Sequence, residues 1–403
     1  MGLELEYCVV DAQLRPRCLV EQAFRTLRGR PTSEVGSRGA GYSNELAAHV
    51  FEVKTLRPER SLRRAEAVLT AGLRRFADVL DRDHGARLLP TGMHPFMRPA
   101  DTRLWPRAGG RIYRTYDRLF GIRGHGWLNV QACHVNLPFG TEAQTVALHN
   151  ATACLLPYLP ALAASSPIYE GTIGPFVDNR LAFYRRNQRR FPEITGRVVP
   201  EFVTSYADYR RRILRPMYRA LAGVRGAEIL RHEWLNSRGA IVRFMRSALE
   251  IRVLDMQECV QADVAIAAFV RGALRRMTRD LLEGRLHLPD HATLVRDFAG
   301  AVRDGRRARV TASHLGRLRR TGSPTARDAL RRLLHWSHDE LPAPERRYLD
   351  VVADRIERGN LSERIRRAVR RRGGRTPRRR RRVITRIYEE LAECLRENVV
   401  WPG

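Results

Sequence analysis

The sequence predicts an α+β fold, a sheet backed by helices and followed by a basic helical C-terminal region, and three observations carry that prediction. The first is period-two alternation. Residues 247–255, Ser-Ala-Leu-Glu-Ile-Arg-Val-Leu-Asp, place Glu250 and Arg252 on one face of a strand and Leu249, Ile251 and Val253 on the other, because side chains at i and i+2 share a face. Met1 to Tyr7 repeats the device with Glu4 and Glu6 against Leu3 and Leu5, so the two acidic stretches read as two edges of one site. The second observation is helical spacing of apolar residues. It runs through 60–84 (Leu62, Ala65, Leu69, Leu73, Phe76, Leu80), ending at Gly85, and through 261–282, stopping near Gly284. The third is that everything after about residue 290 reads as helix and loop, with a basic segment from Arg364 to Arg382 broken by Gly373-Gly374 and Pro377.

In chain order, a first strand covers about 2–11, and a Gly-, Ser- and Arg-rich loop without periodicity runs from Gly29 to Ser43. Residues 46–55 fit a strand or a short helix, with Glu45 and Glu52 seven apart. Strands are expected at Leu88–Pro95 and at Gly126–Pro138, where Ala132, His134 and Asn136 share one face and Gln131, Cys133 and Val135 the other. Residues 144–164 form a long apolar helix that Pro157 and Pro160 kink or divide. An ordered loop from Glu170 to Arg180, a helix over 203–221 and one or two strands within 232–255 complete the core. No internal repeat is evident.

Composition sets bounds. A net charge of +30 favours anionic ligands. Yet Lys54 is the only lysine among 73 basic residues, a bias spread along the whole chain that argues against a dedicated nucleic-acid protein. Clustered like charges stay solvated, so Arg364–Arg382 is expected as exposed helix and loop away from the chemistry. Six cysteines without a CxxC pair argue against structural zinc and a disulfide scaffold. No run approaches the roughly 18 to 20 apolar residues of a membrane span. A strand beginning at Gly2 leaves no room for a leader, which places the protein in the cytoplasm with no membrane partner.

Paired carboxylates on a strand repel unless cations lie between them, so Glu4 and Glu6 suit Mg²⁺ or Mn²⁺, hard ions that take oxygen ligands. Taken singly, each candidate has a plainer reading. An ExE pair can face solvent on an edge strand, a strand histidine such as His134 can be a hydrogen-bonded core residue, and Glu45 and Glu52 can solvate a surface. Together with Cys133-His134-Val135-Asn136 and Glu250-Ile251-Arg252, however, they make an ordered set.

That set resembles the glutamine synthetase-like carboxylate-amine ligases, in particular the second glutamate-cysteine ligase family. The resemblance also takes in Thr91-Gly92-Met93-His94-Pro95-Phe96, Ala163-Ala164-Ser165-Ser166-Pro167 and Arg358-Gly359-Asn360-Leu361-Ser362-Glu363-Arg364-Ile365. It implies a curved, mainly antiparallel sheet of the glutamine synthetase-like catalytic type in residues 1–290. The Arg-rich helical region 291–403 then belongs to the same domain. It further implies ATP-dependent amide formation through an acyl phosphate, with Glu4, Glu6, Glu45, Glu52, His134 and Glu250 as ligands for Mg²⁺ or Mn²⁺. Arg252 would stabilise the transferring phosphoryl group and Arg180 would bind a substrate carboxylate. Amino-acid substrates and ATP are the implied partners, and a homo-oligomer is allowed. Two other readings remain open: a polyanion- or nucleic-acid-binding protein using the arginines, with structural acids, and a degenerate ligase fold that binds without catalysis.

Overall fold

Period-two alternation becomes an open antiparallel sheet in the computed structural model, which describes every residue except Pro31, Arg38, residues 107–109, Arg320, Gly374 and Arg375. The strands are β1 Gly2–Val10, β2 Glu34–Ser37, β3 Ala40–Asn44, β4 Val50–Thr55, β5 Arg87–Leu89, β6 Ala132–Pro138, β7 Ile168–Tyr169, β8 Thr172–Ile173, β9 Ala240–Arg243 and β10 Ala248–Asp255. Across the sheet the order is β2-β3-β4-β1-β6-β10-β9, with β5 paired to the far end of β1; β7 and β8 form a separate small hairpin.

One face is the main core. Leu3, Leu5, Tyr7 and Val9 of β1 are fully buried there, covered by the helices Leu62–His84, Glu142–Leu155 and Val260–Leu282. Ser61 caps the first of these by accepting from the Arg64 N–H, and Gly85 ends it in the left-handed region at φ 56°. The contact with the sheet is close enough that a Cβ on Gly72 would lie 2.7 Å from the Ala40 Cβ. Helices at 291–304, 326–340 and 348–358 extend this same core through Leu294, Leu330, Leu333 and Val352. The other face of β1 carries Glu4 and Glu6, then Cys8 and Val10. These last two are covered by the C-terminal helices Leu361–Arg371 and Pro377–Glu397, which make a second, smaller core.

Several expectations need correction. The stretch Gly29–Ser43 is not a loop, since it holds β2 and β3, with Val35 and Tyr42 turned inward; Pro31 and Arg38 lie outside the described residues. Its strands are short and carry Gly36 and Gly41, which hides the alternation. The strand expected from Gly126 begins only at Ala132, after a short helix His125–Leu128, and the one expected over 88–95 ends at Leu89. The 203–221 helix starts at Tyr206 and contains a π turn at Arg210–Leu214, just before Pro216, whose missing N–H breaks the regular ladder. Apolar length was also underestimated. Residues Glu142–Ala163 are long and apolar enough to cross a membrane, but 94% of that window is buried inside the core. Finally, the basic run is not uniformly solvated. Arg364 is 6% exposed and bonds the Trp401 carbonyl, and Arg366 reaches the Phe176 carbonyl at 2.5 Å, whereas Arg378 and Arg379 are exposed. Gly374 of the expected break lies outside the described residues.

The turn after β5 depends on a neutral histidine. The His94 Nδ1 accepts from the N–H groups of Phe96 (3.0 Å) and Met97 (2.9 Å), so the proton sits on Nε2, which donates to the Leu14 carbonyl at 2.8 Å. A second proton would point at two donors. Burial, only partly offset by the bond to Leu14, lowers its pKa from 6.5 to about 4. Because the folded value lies below the unfolded one, this contribution is complete above about pH 6.5 and is lost as pH falls toward 4. The His94 ring resonances should hold their neutral positions from pH 7.5 to 5 while urea stability declines over the lower part of that range. A midpoint near 6.5 in the folded protein would contradict the assignment.

Candidate active site

The antiparallel register gathers the acidic residues. In β1, Glu6 lies opposite Glu52 of β4, and Glu4 lies opposite both Lys54 of β4 and His134 of β6. Glu250 of β10 faces Asn136 of β6. Glu45 follows directly after β3. Thus Glu4, Glu6, Glu45, Glu52 and His134 meet on the sheet face left free by the main core. Oxygen or nitrogen atoms of Glu4, Glu52 and His134 fall within 4.8 Å of one another, as do those of Glu6, Glu45 and Glu52.

The charge balance divides this face. His134 donates from Nδ1 to Glu4 at 3.2 Å, with Nε2 3.8 Å from Glu6. Burial alone would lower its pKa, but the hydrogen bond to Glu4 and the charges of Glu6, Glu250 and Glu4 outweigh it and raise the value to about 9. Glu6 accepts the Ala132 N–H at 2.7 Å, and burial still raises its pKa. Burial and the nearby Glu4 raise Glu52 to about 7, although Ser43 donates to it at 2.5 Å and the Lys54 ammonium lies 3.2 Å away. Burial, then Glu6 and Glu52, push Glu45 well up. Among the described residues no cation pairs with Glu45. This pole is short of positive charge.

Glu250 sits at the opposite pole. One of its oxygens takes the Arg252 guanidinium and the other takes Arg243 at 2.5 Å. Burial opposes ionisation, but Arg252, His134 and Arg243 overcome it and bring its pKa to about 2. Glu250 therefore lies outside both acidic clusters and is held by two guanidiniums.

Arg180 is 2% exposed, and its Nε donates to Asp255 at 2.5 Å. This pair ties together the sequence motifs. Asp255 also accepts the Ser165 N–H at 2.8 Å, the Ser165 hydroxyl accepts the Gly92 N–H at 2.8 Å, and the Ser166 hydroxyl accepts the Arg180 N–H at 3.1 Å. A Cβ on Gly92 would lie 2.4 Å from the Asp255 carboxyl carbon, so only glycine fits. Arg180, Arg252, His134, Glu6 and Glu45 all line one cavity of about 280 Å³.

With acids interleaved with a histidine on an antiparallel sheet beside two arginines, residues 1–390 match glutamate-cysteine ligase family 2. The chain belongs to that family. An uncharacterized protein of Archaeoglobus fulgidus is 38% identical over 401 residues, covering all of both chains. Among solved structures, the glutamate-cysteine ligase of Francisella tularensis in complex with AMP superposes with a TM-score of 0.58 at 14% identity, over 98% of this chain and 88% of that one. A bifunctional glutathione synthetase from Pasteurella multocida gives 0.55 at 13% identity, over 97% of this chain and 51% of that one. At such identities the likeness is one of fold.

Three further residues beside these acids are not signalled by the sequence pattern. Lys54 stands out in the sequence only as the one lysine, though it lies two residues from Glu52 on the same strand face. Arg243, on the neighbouring strand, was not singled out, although Ala248 pairs with it across the β9–β10 hairpin. Asp255 ended the expected strand without a role. The Arg243–Glu250–Arg252 trio yields a direct prediction. Glu250→Gln leaves the buried Arg252 without its carboxylate, which should cost on the order of 3–5 kcal/mol in urea unfolding, and Arg243→Ala, which leaves Glu250 paired with Arg252, should cost less. Losses under about 1 kcal/mol would mean that solvent already screens these pairs.

Proposed function

We propose that the chain is an ATP-dependent carboxylate-amine ligase of the glutamate-cysteine ligase type, activating a carboxylate as an acyl phosphate and passing the acyl group to an amine. The observation that supports this most is the cation-short pole, where Glu6, Glu45 and Glu52 converge within 4.8 Å. In a chain with so many arginines, acids kept only for the fold could be paired as Glu250 is. An oxygen-rich set with one imidazole fits Mg²⁺ or Mn²⁺. Glu4, Glu52 and His134 would hold one ion and Glu6, Glu45 and Glu52 another, with Glu250 able to join only by releasing a guanidinium. Such ions would screen phosphate charge during transfer.

The chain's own residues would do the rest. Arg252, oriented by Glu250 and lining the cavity, would meet a phosphoryl oxygen that gains charge in the transition state. Arg180, fixed by Asp255 in the same cavity, would meet a substrate carboxylate.

The test is phosphate release from Mg-ATP with glutamate and a panel of amines. Arg252→Lys should keep nucleotide binding yet lose on the order of 10² to 10³ in turnover, since an ammonium lacks the planar two-point contact. Release that needs neither acid nor amine, or a fully active Arg252→Lys variant, would sink the reading.

Metal binding offers a separate check. Protons on Glu52, at about 7, and His134, at about 9, must leave before either can act as a ligand. Mn²⁺ affinity measured by calorimetry should therefore rise from pH 6 to 9, with protons released. Glu52→Gln should weaken it. Lys54→Met should strengthen it by about tenfold, the effect of removing one positive charge several ångströms away in a partly screened site. A pH-independent affinity, or equal effects of the two substitutions, would remove the metal assignment.

A further inference from the structure

The cavity above the acids has two unlike sides. The sheet contributes Glu6, His134 and Arg252, while segments outside the sheet supply an aromatic wall that also borders the polar Asn187, Gln188 and Ser237. There Tyr116, from the helix Gly110–Phe120, meets Trp127 edge-on at 5.6 Å between ring centroids and stacks on Trp234 at 6.3 Å. Ile112 and Val130 complete this wall. The three rings come from three separate segments, and all are half-buried, so the wall is built by the fold itself.

We infer that the amine substrate is an amino acid or amine with a bulky apolar or aromatic side chain, seated against Tyr116, Trp127 and Trp234. This rests on the ligase reading above. Two arguments assign the wall to the amine rather than to the acid. Phosphorylation of the acid requires its carboxylate to lie on the charged sheet side, beside Arg252 and the acidic clusters. The amine, by contrast, must be neutral to attack, and burial against an apolar wall disfavours the ammonium form. In the transfer itself the amine nitrogen bonds to the acyl carbon, the carbon–oxygen bond to phosphate breaks, and phosphate leaves as the nitrogen gives up a proton to solvent.

Size then sets the preference. A cysteine side chain buries only a methylene and a thiol, leaving most of the aromatic wall against water. A leucine- or phenylalanine-sized group covers it, and each added buried methylene in an apolar pocket is worth about 10-fold or more in discrimination.

The experiment separates this inference from the reading beneath it. Hydroxylamine is a small nucleophile that needs no side-chain pocket, and it traps an activated carboxylate as a hydroxamate. Hydroxamate formation is first measured with Mg-ATP and a panel of amino and dicarboxylic acids. With the best acid, kcat/KM is then compared for glycine, alanine, cysteine, leucine, phenylalanine and tryptophan. The expected result is hydroxamate formation together with a preference of at least tenfold for the bulky apolar amines over alanine and cysteine. That preference should shrink toward unity in Trp127→Ala and Trp234→Ala, and return in Trp234→Phe. Hydroxamate without that preference, with cysteine or glycine favoured, or with no amino acid accepted, overturns the inference and leaves the ligase reading standing. No hydroxamate with any acid overturns both.

Discussion

Crowding of carboxylates on adjacent strands is the constraint on which this structure turns. Antiparallel register brings Glu6 opposite Glu52, with Glu4 one pleat away and Glu45 at the end of the next strand. Two like charges about 4 Å apart at an effective dielectric near 20 repel by roughly 4 kcal/mol, so the cluster cannot be fully ionised unless positive charge accompanies it. The chain supplies some of that charge unevenly. His134 and Lys54 serve Glu4 and Glu52, two guanidiniums serve Glu250, and Glu45 has no ion pair among the described residues and only the more distant charge of Lys54. Burial raises all four carboxyls; Glu6, Glu45 and Glu52 stay raised because the nearby cations only partly offset it, whereas Arg252, His134 and Arg243 overcome it at Glu250.

Much of the surrounding fold makes the register impossible to evade. A one-residue slip of β1 would turn Glu4 and Glu6 into the main core and expose Leu3 and Leu5, and the buried apolar residues on both ends of the strand forbid it. At the end of β10, Asp255 binds Arg180 and Ser165 while Gly92 packs against its carboxyl group. The strand that carries Glu250 and Arg252 is thereby anchored to loops that close the cavity. The C-terminal chain contributes from the other side, where the buried Arg355–Glu258 pair at 2.7 Å receives the Trp401 N–H at 3.3 Å.

What could be read in the sequence follows from how each feature is encoded. The β1, β6 and β10 faces were legible because alternation places acids and apolar residues in one short run. His134 and Asn136 shared the acidic face as expected, and the Pro157 and Pro160 interruption appears as a break in the long helix, with a 3-10 turn at Leu156–Tyr158. Strands β2 and β3 were hidden because four- and five-residue strands with glycines carry too few apolar positions to show a period. The aromatic wall was hidden for another reason. Tyr116, Trp127 and Trp234 are spread over more than a hundred residues, and only tertiary packing makes them neighbours.

The one lysine shows how fine the sorting on this face is. Each oxygen of Glu250 takes one guanidinium, Arg252 on one and Arg243 on the other, and the two together fix the carboxylate. An arginine at position 54 could do the same to Glu52. Lysine instead brings a compact ammonium that divides its contacts among Glu52 at 3.2 Å, the Ser43 hydroxyl at 2.9 Å and the exposed Glu34 at 3.5 Å. It offsets part of the charge of Glu52 without enclosing it. The difference between the two cations thus separates acids that are locked to the fold from acids that remain able to bind something else. Composition favours arginine at almost every basic position of this chain, and the exception falls where a fork would close the acidic cluster.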